Sequence, residues 1–407
     1  MPRVYCRGRL ASVSTLEDPI ALGKNLLVGN YARRDICMVR GEGTRLWDST
    51  GKEYLDLFAG FGGCVLGHCH PELIEAATEQ MKTLWHVGNS FYTEPQLRFA
   101  KHLNEKAFAG KAFFCHGGMD SNESAVKLAR LRGSTASPRK FKIVTFNASF
   151  HGRSLAMAAA GSTEMHRQGF EPMPQGFVHA TGGDFDDLLK HVDDETAGIM
   201  FEPLRGEGGM LGYPADFPAK VRQLCDERDI TLIFDEVWVG GGRSGKWFGH
   251  QWFDGEVTPD VMTLGKAIGG GLPAGAMWAS EKVADVLTPG KHGSTLGGNC
   301  VVMAVAAKIF DVMERDNLVD HARKLGDAAI EMFAGELPDC PVRGTGLFLG
   351  VQLPSEIENF VGKALEAGIV LNVTQKDVIR LAPPIDISED EWRQGVEQVI
   401  GLVKQHR

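Results

Sequence analysis

The chain alternates between short apolar runs and longer stretches with helical spacing. Residues 36–57 (CMVRGEGTRLWDSTGKEYLDL) break into brief strand-like pieces between Gly-rich turns, which predicts a small antiparallel meander. Helical patterns follow near 71–85 and 94–107. Then come apolar runs at 111–115, 142–146, 197–203, 230–236, 260–265 and 274–280, with helical patterns at 120–132 and 216–228 between them. Runs of four to eight apolar residues without alternation suit strands buried on both faces. Strands separated by helices imply a mostly parallel sheet with crossover connections. From about 299 the chain turns helical, passes through strand, helix and strand, and ends in an amphipathic helix at 388–405. The pattern predicts three segments: 1–60 as the N-terminal part of a small lobe, 61–300 as the large domain, and 301–407 as the C-terminal part of the small lobe.

Composition narrows the partners. The 407 residues carry 43 Lys and Arg against 52 Asp and Glu, a net charge of −9. That balance disfavours nucleic acid, which needs a basic face. No run approaches the roughly 18 apolar residues of a membrane span. Eight cysteines with no C-x-x-C pair suit free thiols in a reducing cytosol, and a cytoplasmic location is expected. Arg3, Arg7 and Arg9 give the first twenty residues a basic character without an apolar core, the mark of a solvated tail. The cluster Gly67-His68-Cys69-His70 lacks a second ligand pair at zinc spacing, so no metal site is expected.

In an open parallel sheet, ligands sit at the carboxyl ends of the strands. The residues that follow the apolar runs are therefore the candidates: His116-Gly117-Gly118, Asn147 to Arg153, Glu202 with Arg205 to Gly209, Asp235-Glu236, and Lys266. A lysine at a strand end is partly desolvated and suits a Schiff-base nucleophile; the alternative is a snorkelling or ion-paired lysine. A buried Asp235 needs a cationic or hydrogen-bonding partner, such as a protonated pyridine nitrogen, or else a metal. Gly117-Gly118-Met119 before a helix makes an anion site, unless it is a plain strand–helix turn. Two further signatures fail. GGRSGK at 241–246 puts Trp247 where a P-loop needs Ser or Thr, and GGGLPA at 269–274 precedes a strand rather than a helix.

Taken together, RGEGTRLWDSTGKEYLDL, LGHCHPELIEA, YTEPQ, NESAVKLAR, FHGR, EPLRGEGG, FDEV, GRSGKWF, PDVMTLGKAIGGGLPAGAM, HGSTLGGN and RLAPP resemble, in that order, the class III pyridoxal-phosphate-dependent aminotransferases, nearest the acetylornithine and ornithine aminotransferases. The resemblance runs from about residue 30 to the end. It implies a fold type I transferase with a seven-stranded, mostly parallel sheet and a smaller α+β lobe. It implies pyridoxal 5'-phosphate as cofactor, a homodimer with a shared active site, and small-molecule substrates.

By position, the resemblance makes Lys266 the catalytic Schiff-base lysine and proton shuttle, and Asp235 the partner of the pyridine nitrogen. Val237 and Phe150 would flank the ring. Gly118 and Met119 would offer backbone amides to the phosphate, and Thr295, with Ser294 beside it, would reach the neighbouring subunit's phosphate. Arg153 would grip a substrate carboxylate. Arg380 would bind the α-carboxylate of 2-oxoglutarate, with Glu207 neutralising it while an ω-amine is bound, unless the two form a permanent ion pair. The implied reaction moves a terminal amine from N2-acetylornithine to 2-oxoglutarate, in arginine biosynthesis. Ornithine, succinylornithine, 4-aminobutyrate, putrescine and diaminobutyrate are the competing donors.

Three positions depart from the family pattern. Gly117-Gly118-Met119 replaces Ser-Gly-Ala or Ser-Gly-Thr; Trp238 replaces a Gln that contacts the cofactor's phenolic oxygen, so that either its indole N–H binds the cofactor in place of the amide or the site is reshaped; and Arg205 replaces a Gln and is expected to add a cation near the pocket. Two other readings stay open: a metal-assisted hydrolase using Asp235, Glu236, His68 and His70, and a non-catalytic relative.

Overall fold

The computed structural model describes residues 16–253 and 257–407. The basic tail with Arg3, Arg7 and Arg9, and Cys6 with it, lies outside the described residues. The large sheet has seven strands: β1 (Gly110–Cys115), β2 (Lys142–Phe146), β3 (Phe177–Ala180), β4 (Thr196–Phe201), β5 (Thr231–Asp235), β6 (Val261–Leu264) and β7 (Gly275–Ser280). Their spatial order is β1-β7-β6-β5-β4-β2-β3. The pairings from β6 through β3 are parallel, and β7 alone runs against the rest. Every residue of β4, β5 and β6 is buried, which explains the unbroken apolar runs. The periodicity missed β3. It is a half-buried edge strand, FVHA, whose His179 interrupts the apolar pattern.

Both chain ends build the smaller sheets. The meander Met38–Glu42, Arg45–Asp48, Glu53–Asp56 pairs antiparallel, and Ile369–Val370 joins it in parallel. A second four-stranded sheet contains Val342–Thr345, Phe348–Gln352, Val378–Leu381 and Asn372–Thr374. The amphipathic helix Glu389–His406 starts on Ser388, whose hydroxyl accepts from the Glu391 amide. Among the described residues, seven cysteines are free thiols and no helix is long and apolar enough to cross a membrane.

The GRSGKWF segment serves packing. Its Gly241 and Gly242 amides both donate to the Trp247 carbonyl, so they are not free to cradle a phosphate. Arg243 is fully buried and donates to the carbonyls of Gly62 (3.3 Å) and Pro383. Burial pulls its guanidinium down to about 10, against the charge of Asp56. One side chain thus ties the loop after the meander to the segment that follows strand Val378–Leu381. Arg243→Met should strand both carbonyls, at about 1–3 kcal/mol for each buried acceptor left without a donor. A lowered urea midpoint in the variant checks this.

Candidate active site

The chemistry gathers at one edge of the large sheet, where β2, β4, β5 and β6 end and β7 begins. Glycines allow the ends to approach so closely. A Cβ on Gly275 would lie 2.3 Å from the Gly117 carbonyl oxygen, one on Gly265 would lie 2.8 Å from the Gly118 nitrogen, and one on Gly118 would lie 2.3 Å from Val237. The helix α1 (Gly118–Gly133) opens there. Its first backbone bond runs from Ser121 to Gly117, which leaves the Gly118, Met119 and Asp120 amides without intrahelical acceptors.

Asp235 ends β5 and is buried. Its Oδ2 accepts from Asn122 Nδ2 and from His151 Nδ1, both at 2.7 Å, and its Oδ1 accepts from the Val237 amide at 3.1 Å. Asn122 is itself fixed: it donates to the His151 carbonyl (2.8 Å) and accepts from Thr263 Oγ1 (2.5 Å). Burial alone would pull the His151 imidazole down, but the Asp235 hydrogen bond and charge outweigh it and its pKa is raised. Glu202, just past β4, accepts from the Phe150 and Gly206 amides at 2.9 and 3.3 Å. Burial, and then the charge of Asp235, push its carboxyl up to about 7.

Lys266 follows β6 in a left-handed conformation, φ +43°, a strained choice for a residue with a Cβ. Burial lowers the pKa of its amine, while the carboxylates of Asp235, Glu202 and Glu207 pull the other way. Its Nζ lies 4.3 Å from the centre of the Trp238 ring. A cavity of about 1080 Å³ opens beside it, and Phe150, Arg153, Glu207 and Arg380 share its lining with Lys266. Arg153 lies over the Phe150 ring at 5.6 Å. Arg380 is only 2% exposed, whereas the Glu207 side chain is 36% exposed; they pair at 3.0 Å. Arg380 also donates to Asn372 Oδ1 from Nε (2.9 Å) and Nη2 (2.5 Å), and to the Gly206 carbonyl (3.3 Å). Burial lowers its pKa despite Glu207.

Of the residues singled out in the sequence, Ser294 and Thr295 do not join this group. Ser294 lines a separate cavity of about 870 Å³, near Asn89, Tyr92 and His292, and Thr295 is exposed. Arg205 is a correction: it adds no cation to the cavity. Its guanidinium stacks over Tyr213 at 4.8 Å and donates to the carbonyls of Asn147 (3.0 Å) and Gly212 (3.1 Å), because Tyr213 offers an aromatic face away from the site. The sequence analysis gave no role to Asn122, His151 or Thr263. Their signal was their position, in NESAVKLAR, in FHGR and on β6, all converging on Asp235. The hydrolase constellation does not assemble. Glu236 is taken by the Gly249 amide (2.5 Å) and the His250 amide (2.8 Å), and His68 bonds Asp56 at 2.8 Å. Among the described residues no cluster of three or more His, Cys, Asp and Glu could hold a metal ion.

Comparison with known proteins agrees with this geometry. Residues 29–403 match the family model for class III aminotransferases. The chain is 39% identical over 388 residues to an acetylornithine aminotransferase of Myxococcus xanthus, covering 94% of this chain and 96% of that protein. It is equally identical over 390 residues to a succinylornithine transaminase of Salmonella typhimurium, covering 91% and 93%. Among solved structures, an ornithine aminotransferase from Toxoplasma gondii, with pyridoxal phosphate partly occupying its active site, superposes with a TM-score of 0.91 at 29% identity, over 97% of this chain and 96% of that one. The chain belongs to the class III aminotransferases, and it is a pyridoxal-phosphate-dependent transaminase of the ω-aminotransferase kind.

Proposed function

We propose that this enzyme moves the terminal amine of N2-acetylornithine to 2-oxoglutarate, giving the semialdehyde and glutamate. The observation that carries the reading is the pair Arg380–Glu207 on the wall of the same cavity as Lys266 and Arg153. A terminal-amine donor has no carboxylate beside its amine, yet 2-oxoglutarate has one beside its oxo group. Arg380 suits the second, and Glu207 neutralises Arg380 for the first. Arg153, a planar fork, suits the donor's distant carboxylate. Ornithine, succinylornithine and other ω-amines differ from acetylornithine in what they present at that far end.

The residues at the sheet edge fit pyridoxal phosphate. The free amides of Gly118 and Met119 suit its phosphate. The Asp235 carboxylate, with a buried cage on one oxygen, suits its pyridine nitrogen, and Val237 and Phe150 suit the ring faces. When bound, the cofactor supplies an aldehyde for amine exchange and a heterocycle that takes up an electron pair. Lys266, its pKa lowered by burial, holds and moves the proton at the substrate carbon that bears the amine. His151 supports Asp235 from behind and keeps its charge turned toward the ring. The Trp238 indole Nε1 is buried without a hydrogen-bond partner among the described residues, which suits it to meet the cofactor's phenolic oxygen in place of the Gln amide. Thr295 and Ser294, which do not line the Lys266 cavity, fit a homodimer in which they complete the partner's phosphate site.

The test is a panel of amines with 2-oxoglutarate, following glutamate. N2-acetylornithine should give the highest kcat/KM, and Lys266→Ala should lose roughly 10²–10⁴ in kcat, the scale of one general acid–base group. A better rate with 4-aminobutyrate or putrescine would move the assignment to that amine. Arg153→Ala should raise KM for acetylornithine at least tenfold more than for putrescine, which has no carboxylate to lose. Glu207→Ala should leave Arg380 permanently unneutralised and shift preference toward α-amino donors such as glutamate, read as a rise in the ratio of their kcat/KM to that of acetylornithine.

A further inference from the structure

Trp238 is buried, 4% exposed, beside Lys266 and Arg380, which both line the cavity. Its slot is shaped for a large ring. A Cβ on Gly62 would come within 2.8 Å of the indole Nε1, and one on Gly206 within 2.8 Å of its Cε3. Phe348 and Phe58 pack against it at 5.2 and 6.1 Å. The ring centre lies 4.3 Å from Lys266 Nζ and 4.6 Å from the Arg380 guanidinium carbon. Two like charges therefore share one aromatic neighbour, and its π-cloud presents negative potential to both.

This matters most when Glu207 leaves. Arg380 is almost fully buried, and among the described residues the carboxylate it pairs with directly is the more exposed Glu207. A substrate carboxylate must displace that partner, and during the exchange the guanidinium would be a bare cation in the protein interior. Asn372 and the Gly206 carbonyl hold its edge, but both are neutral. Of the two aromatic faces that stay in place beside the guanidinium, the indole at 4.6 Å is nearer than the Phe58 ring at 5.5 Å.

We infer that Trp238 is a positioning residue that holds Arg380 ready for the acceptor's α-carboxylate when Glu207 withdraws, and so favours α-oxo acids as acceptors. This rests on the reading of Arg380 as the carboxylate site. The variants are Trp238→Met, which fills the slot without an aromatic face, and Trp238→Phe, which keeps the face; Trp238→Leu replaces the Met variant if that does not fold. Two quantities are read on the cofactor-loaded protein: affinity for glutarate, an unreactive dicarboxylate, by calorimetry, and KM for 2-oxoglutarate relative to KM for the amine donor. Trp238→Met should weaken glutarate binding and raise the KM ratio about tenfold, the scale of one desolvated cation–π contact, and Trp238→Phe should recover most of both. Equal changes in the two KM values, or a Phe variant as impaired as the Met variant, would overturn the inference. Arg380→Gln separates the two readings: if it leaves glutarate affinity unchanged, the carboxylate site itself is misassigned; if it weakens binding while Trp238→Met does not, only the role of Trp238 falls.

Discussion

A carboxylate in the protein interior is costly unless its lone pairs are met, and the site is organised around meeting those of Asp235. Asn122, His151 and the Val237 amide do so, each from a different segment of chain. Asn122 then needs its own fixing, which Thr263 supplies. Meeting Asp235 therefore sets the distance between β5, β6, α1 and the loop after β2. Lys266 follows three residues after Thr263, and its place inherits that spacing. The amine that does chemistry is aimed by hydrogen bonds it does not itself make.

Charge is the second organising quantity. Asp235, Glu202 and Glu207 act on Lys266, and Glu207 and Glu202 on Arg380, at the edge of the cavity. The carboxyls differ in environment. Burial pushes Glu202 up to about 7, and it serves as a structural clamp on the Phe150 and Gly206 amides, while Asp235 bonds a histidine whose pKa is raised.

Much of this was legible in the sequence because the strands are buried on both faces. Unbroken apolar runs located six of the seven strands of the large sheet, and Lys266, Asp235, Phe150 and the Gly118 turn followed from what stood after each run. β3 escaped because an edge strand need not be apolar throughout. The hydrogen-bond cage escaped for a different reason. Asn122, His151 and Thr263 are ordinary polar residues in sequence, and only the crossover of α1 over the sheet brings them to Asp235. Arg205 misled because a charge beside a strand end looks like part of the site, and nothing in sequence tells that Tyr213, eight residues on, offers it a better place. Trp238 was legible as a departure, but not which cations it would touch.

The cage around Asp235 joins residues as far apart as 113 and 141 positions along the chain. Contacts of that span close late, since loop entropy must be overcome before they form. No fragment of the sheet holds the complete constellation, so a ligand that uses all of it recognises the finished fold. Vitamin B6 supply then acts as a thermodynamic weight on the whole polypeptide: by mass action each tenfold excess over its dissociation constant deepens the native basin by about 1.4 kcal/mol.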